Sequence, residues 1–263
     1  MTNLEQPFPS LQAFSLVGRT ALITGSSSGI GFALACGLAA AGARIVLNGR
    51  DPVKLRSATH RLAELGHAAA ELAFDVTDPQ ACVEAVDGYE RDAGAIDILV
   101  NNAGMQRRAP LEAFPIGQWQ ELMRTNVDSV FYVSQPLARH MIARGRGKII
   151  NICSVQSELG RPNIAPYAAS KGAVKMLTKG MAIDWGPHGL QVNGLGPGYF
   201  KTELTQALVD DPALTAWLVN RTPSRRWGNV EDLWGAAVFL ASDASRFVNG
   251  HVLYVDGGVT ATL

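Results

Sequence analysis

Short, uninterrupted apolar runs separated by longer helix-forming stretches constrain this chain more than any single motif. The runs are "RTALITG", "RIVLNGR", "AAAELAFDVTD", "IDILVNNAG", "GKIINICS", "LQVNGLGPG" and "HVLYVDGG". A strand with one face in water alternates apolar and polar residues, whereas a strand buried on both faces is apolar throughout. Runs of the second kind, alternating with helices, imply a parallel sheet covered on both sides. The expected fold is a single α/β domain with a doubly wound, seven-stranded parallel sheet flanked by helices. Local signals agree: Asp51 is placed to cap a helix, Pro52 to open its first turn and Gly66 to follow its end. One long helix is expected over about 116–143 and another over "NVEDLWGAAVFLAS". No repeat, linker or low-complexity segment divides the chain. Residues 18–263 read as one domain behind a loosely structured leader, residues 1–17. The least regular stretch, residues 199–228, is a candidate lid over a site.

Composition narrows the function classes. Apolar residues make up 47% of the 263, enough for a large core. Lys+Arg (23) balance Asp+Glu (23), so no global field draws in nucleic acid or an acidic membrane surface. Cys36, Cys82 and Cys153 are an odd, scattered set without metal-ligand spacing. They read as reduced thiols of a cytoplasmic protein, and no metal site is expected. No apolar run reaches membrane-spanning length. The start, "MTNLEQPFPSLQAF", lacks the basic and apolar regions of a signal peptide.

"TGSSSGIG" (24–31) lies between the first strand and the first helix. Gly25, Gly29 and Gly31 permit a tight turn, close approach to a pyrophosphate and close helix–sheet packing, which makes the domain Rossmann-type. The spacing is GxxxGxG. The hydroxyl of Ser26 or Ser27 is placed to reach a phosphate. The second strand ends in "NGRD", with no carboxylate at its end to take ribose hydroxyls and with Arg50 following at once. A guanidinium there pairs with a 2′-phosphate, so NADP(H) is expected over NAD(H), the weaker alternative. The competing reading of Arg50 is a solvated surface residue. Asp75, after the third strand, is placed to accept from an adenine amino group.

"YAASK" sets Tyr167 and Lys171 four apart, on one face of a helix. A neighbouring ammonium stabilises a phenolate and lowers a tyrosine pKa from its reference of about 10. A tyrosine tuned in this way exchanges protons near neutrality. Ser154, at the carboxyl end of the fifth strand, is placed to hydrogen-bond a substrate carbonyl beside it. Asn126 falls inside the long helix, where Asn is a poor former, and so marks a kink or a water held beside Lys171.

This ordered set resembles the short-chain dehydrogenase/reductase family, and the resemblance runs from about Gly18 to Gly258. It rests on TGSSSGIG, Asp75, NNAG (101–104), Asn126, Ser154, YAASK and "PGYFKT" (197–202). It implies a nicotinamide cofactor and hydride transfer at a carbonyl carbon. It further implies Tyr167 as acid/base, Ser154 as carbonyl orienter, Lys171 as ribose ligand and pKa modifier, and Asn126 in a proton relay. The implied cofactor contacts are Gly25, Ser27, Ser28, Gly29, Ile30, Gly31, Arg50, Asp75, Val76, Asn102, Ala103, Gly104, Tyr167, Lys171, Pro197, Gly198 and Thr202. Members are commonly homotetramers built through the long helix and the YxxxK helix. "NGR" departs from the NAD-type pattern.

Two loops speak to the substrate. "NNAGMQRR" puts Arg107 and Arg108 beyond the fourth strand, and "NICSVQSELGRP" puts Gln156, Glu158 and Arg161 beyond Ser154. Both leave strand ends on the cofactor side. A polar rim with cations suits a small sugar acid, with an arginine clamping the carboxylate and Glu158 accepting from hydroxyls. The expected substrate contacts are Arg108, Ser154, Gln156, Glu158 and Tyr167. Arg108 is preferred to Arg107, and Arg161 stays open. The alternatives are a surface salt-bridge network of these charges, a reductase of 3-oxoacyl thioesters, and a non-catalytic dinucleotide sensor. The sensor is disfavoured because Ser154, Tyr167 and Lys171 are all present.

Overall fold

The computed structural model describes residues 11–262. Among them, seven strands form one all-parallel sheet in the order β3-β2-β1-β4-β5-β6-β7. The strands are β1 (Thr20–Ile23), β2 (Arg44–Gly49), β3 (Ala69–Ala73), β4 (Ile98–Asn101), β5 (Gly147–Ile152), β6 (Leu190–Pro197) and β7 (Val252–Val255). Strand order reverses between β1 and β4, which opens a crevice at their carboxyl ends.

Successive strand residues serve opposite faces of the sheet. Ala21 and Ile23 of β1 face one core, with Leu34 and Leu38 of α1 (Gly29–Ala40), Leu55 and Leu62 of α2 (Pro52–Glu64) and Leu240 of α9 (Trp234–Ala241). Leu22 faces the other, with Val86 of α3 (Pro79–Asp92), Val133 and Leu137 of α5 (Ser129–Arg144) and Val174 of α6 (Ala165–Trp185). This double burial is why the runs carry no polar alternation. Asp51 caps α2 as expected, its carboxylate accepting from the amides of Val53 (2.9 Å) and Lys54 (3.3 Å).

The long helix expected over about 116–143 is broken. It comprises α4 (Ile116–Met123), a π-helical turn (Arg124–Asp128) and α5. The stretch from Val230 to Ala241 begins as a 3₁₀ turn (Val230–Leu233) before α9. The irregular stretch beyond β6 contains α7 (Gln206–Val209) and α8 (Pro212–Arg221).

Residues 1–10 of the expected leader lie outside the described residues. From residue 11 the chain packs on the domain. Leu16 is 1% exposed in the core, and the Phe14 ring lies 6.4 Å from that of Phe239. Leu16 and Phe14 therefore belong structurally with the domain that was expected to begin at Gly18.

Candidate active site

The phosphate end is built from backbone. Gly25 and Gly29 take left-handed φ values of 59° and 57°. A Cβ at Gly25 would sit 2.9 Å from Ala103 Cα, so the loop after β4 packs directly against it. A Cβ at Gly29 would meet nothing within 4 Å, which leaves open space beside the start of α1. Ser28 occupies the N-cap of α1 without a capping side-chain bond. The first amides of α1 are thus uncapped by that side chain beside the open space, the arrangement that takes a pyrophosphate. Ile30 packs its side chain against the core. These features fit a dinucleotide.

Of the two serines left open, Ser26 is structural: its hydroxyl donates to Ile23 O (2.8 Å) and accepts from Asn48 N (3.0 Å). Ser27 remains half-buried against Gly49, where an added Cβ would meet its hydroxyl at 2.9 Å. The small residue at 49 therefore makes room for Ser27. Asn102 and Ala103 brace this loop. Asn102 Nδ2 donates to the carbonyls of Thr24 and Gly25, both at 2.9 Å, and Thr24 Oγ1 accepts from both amides of 102 and 103 (2.9 and 3.0 Å).

At the adenosine end, Arg50 is 81% exposed and lies 3.9 Å from Asp75 Oδ2. A carboxylate therefore does approach Arg50, from β3 instead of β2. So exposed and long a pair contributes little and leaves the guanidinium available. Burial would raise the Asp75 pKa, but the Thr77 amide and hydroxyl (each 2.8 Å), with Arg50, hold it below the usual value. Val76 is buried in the core beside it. Arg61, missed in the sequence, donates to Ser27 O at 2.6 Å and adds a second guanidinium here.

At the chemistry end, Ser154 and Tyr167 come together: the Ser154 hydroxyl is near enough to the phenol to draw its pKa down. Burial is the larger effect and holds Tyr167 above its ordinary value, with Cys153 adding to the rise. The expected lowering by Lys171 does not dominate. Lys171 Nζ stands 5.8 Å from the ring centroid and donates to Ile152 O at 2.7 Å. Burial lowers its own pKa to about 8, so the charge that would tune the tyrosine is itself weakened.

Asn126 lies in the π turn, 1% exposed. Its Oδ1 accepts from Met105 N (2.8 Å), and its Nδ2 donates to Met105 O (2.9 Å) and Ser170 Oγ (3.1 Å). The irregularity expected there takes the form of the π turn. The side-chain amide braces the loop after β4. Gly104 fits beneath it, where a Cβ would lie 3.4 Å from Asn126 Oδ1. Ser157 was also missed. Its hydroxyl accepts from Ser154 N (3.3 Å) and donates to Lys171 O (3.0 Å). The signal for it was the S-x-x-S spacing of a capping box.

Pro197 ends β6, and Gly198 is pressed on β7's exit, where a Cβ would lie 2.7 Å from Asp256 Cα. Thr202 spends its hydroxyl on Thr205 (3.0 Å). On the substrate rim, Gln156 is buried beside Ser154 and its Nε2 donates to Tyr199 OH at 3.3 Å. Glu158 Oε1 accepts from Lys175 Nζ and from Tyr254 OH (2.8 Å), which ties it to α6 and β7 while the carboxylate stays partly exposed. Arg107 pairs with Glu121 at 3.3 Å. Arg108 and Arg161 line one cavity of ≈ 250 Å³.

Known proteins resemble the whole of this arrangement. The sequence profile of a family described as enoyl-(acyl carrier protein) reductase matches residues 25–260. Gluconate 5-dehydrogenase of Gluconobacter oxydans (strain 621H) is 63% identical over 250 residues, 95% of this chain and 98% of the relative. The 5-keto-D-gluconate 5-reductase of Escherichia coli (strain K12) is 55% identical over 246 residues, 94% and 97% of the two chains. The crystal structure of a gluconate 5-dehydrogenase from Burkholderia cenocepacia J2315, in complex with NADP and tartrate, superposes with a TM-score of 0.94 at 61% identity, covering 97% of this chain and 100% of that one. Matched over nearly its whole length by this family profile and by these relatives, the chain belongs to the short-chain dehydrogenase/reductase family.

Proposed function

We propose that the chain is an NADP(H)-dependent oxidoreductase that interconverts 5-keto-D-gluconate and D-gluconate by hydride transfer at C5. The observation that carries this reading is the pairing of Ser154 with Tyr167 next to loops that hold Arg108 and Arg161 around one cavity. A small molecule with a ketone at one end and a carboxylate at the other matches both features. The relatives at 63% and 55% identity support it through the reactions they are named for, and the NADP-bound neighbour supports the cofactor.

NADPH, when bound, supplies the hydride. The residues suited to hold it are the loop from Gly25 to Gly31, Arg50 for the 2′-phosphate, Asp75 and Val76 at the adenine, Asn102 to Gly104 beneath, Lys171 at the ribose, and Pro197, Gly198 and Thr202 at the nicotinamide. Ser154 and Tyr167 hydrogen-bond the C5 carbonyl oxygen, and Tyr167 gives up its proton as that oxygen gains charge. A phenol held above its ordinary pKa arrives protonated, which suits the reductive direction. Oxidation needs the phenolate, which a charged Lys171 favours. Residues 199–228 serve as the lid, supported by Tyr199 packing edge-on against Trp217 and Trp227. A homotetramer is supported by apolar side chains exposed on α5 (Phe131) and α6 (Met176, Ile183). Among the described residues no helix is long and apolar enough to cross a membrane. Cytoplasmic residence is supported by three unpaired thiols.

The test is the reduced-nicotinamide absorbance of purified protein given 5-keto-D-gluconate or acetoacetyl thioester, each with NADPH and NADH. Oxidation of NADPH by the keto acid, faster than that of NADH, is expected. Oxidation driven only by the acyl thioester would contradict the reading.

A further inference from the structure

The loops leaving β4 and β5 meet where Ala109 N donates to Asn163 O at 3.3 Å, and Asn163 takes a left-handed φ of 65° to do so. They enclose the ≈ 250 Å³ cavity that Arg108 and Arg161 both line. Burial and, after it, the neighbouring Arg161 guanidinium depress the Arg108 pKa. Among the described residues neither has a carboxylate within ion-pair distance, whereas the adjacent Arg107 is paired with Glu121. Like charges held together without a counter-ion cost free energy that a bound anion recovers. Arg161 is also held: its guanidinium lies 5.7 Å from the Trp217 ring centroid. A cation seated on an aromatic face keeps its N–H edge free for a ligand.

The cavity is linked to the chemistry. Tyr199 interacts with Arg108 and accepts from Gln156 Nε2, and the Gln156 amide N donates to Ser154 Oγ at 3.1 Å. Gln156 Oε1 is buried with no hydrogen-bond partner among the described residues. An unmet buried acceptor between an anion site and a carbonyl site fits a polyol chain spanning the two.

We propose that Arg161 is a specificity-determining residue that joins Arg108 in a two-guanidinium subsite for the substrate's carboxylate. This rests on the sugar-acid reading above. Charge-assisted hydrogen bonds of this kind hold a planar anion more tightly than a single cation does.

The experiment compares wild type, Arg161→Ala and Arg161→Lys on 5-keto-D-gluconate and on the neutral 5-keto-D-fructose, with NADPH throughout. In Arg161→Ala the ratio of kcat/KM for acid over neutral ketone should fall at least about tenfold, with the loss in KM. Arg161→Lys should recover part of it, and unchanged NADPH affinity in both variants would show that they fold. If wild type reduces the keto acid but the ratio is unmoved by Arg161→Ala, the second guanidinium is not part of the subsite and the sugar-acid reading stands. If wild type shows no preference for the acid, the sugar-acid reading fails and takes the subsite with it.

Discussion

Ser157 shows how one hydroxyl can position a site without touching it. By accepting from Ser154 N and donating to Lys171 O, it ties the turn that carries Ser154 to the helix that carries Tyr167 and Lys171. Ser157→Ala should cost about 1–2 kcal/mol of stability in a urea titration. It should also lower kcat for the keto acid about tenfold, since small displacements at a reacting centre are expensive. Ser157→Thr, which keeps the hydroxyl, should recover most of the rate, and an unchanged kcat in Ser157→Ala would contradict the positioning role. Arg50→Ala should reduce the preference for NADPH over NADH about tenfold or more in kcat/KM, as expected for losing a charge-assisted contact. Tyr167, Lys171 and Ser154 could be found in the sequence because helical spacing and strand ends are local properties. The partners of Glu158 and the approach of Asp75 to Arg50 could not, because they depend on which strands and helices become neighbours. The direction of the Tyr167 shift was also hidden, because burial belongs to packing and not to spacing.

The elements were readable wherever the apolar pattern alone determines them, and misread where a tertiary contact overrides propensity. The break at Arg124–Asp128 is such a case. Asn126 hinted at it, but the π turn exists because its amide closes three hydrogen bonds with Met105 and Ser170, residues far away in the chain. π-bulges are frequent at functional sites. The glycine loop was readable because its constraint is steric. A Cβ at Gly31 would lie 2.6 Å from Gly25 O and collide with the Asn102 side chain. Gly31→Ala should therefore destabilise the fold by roughly 1–3 kcal/mol and weaken NADPH binding at least tenfold in a fluorescence titration. Normal affinity in that variant would show that the loop tolerates displacement.

For the molecule as a whole, buried lysines set a pH dependence. Burial lowers Lys171 and Lys148 from 10.5 to about 8 each. Above pH 8 the folded chain releases these protons while the unfolded chain keeps them up to about 10.5, so the unfolded state binds more protons and stability rises with pH. The buried thiols Cys36, Cys82 and Cys153 are all raised from 9.0, the last two to about 12 and about 11, and act in the opposite sense as their unfolded counterparts ionise between about pH 8 and 10. Between pH 8 and 9 the lysines should add roughly 1 kcal/mol each and the thiols offset about half of that sum, so the urea midpoint should climb and Lys148→Met should remove most of the rise. A flat or falling midpoint would show that the lysines keep their ordinary pKa. The alternation of runs and helices made the doubly wound sheet readable in the sequence. The seating of Leu16 and Phe14 on the domain was not, since seven polar or turn-forming residues among the first ten masked two apolar anchors further on.

The central claim is that Tyr167 is the proton donor to a carbonyl reduced by NADPH, and Tyr167→Phe tests it most directly because it removes one oxygen and keeps the ring. With 5-keto-D-gluconate and NADPH, the variant should lose at least about a hundredfold in turnover while binding NADPH with nearly the wild-type Kd. A variant that oxidises NADPH at close to the wild-type rate would contradict the account.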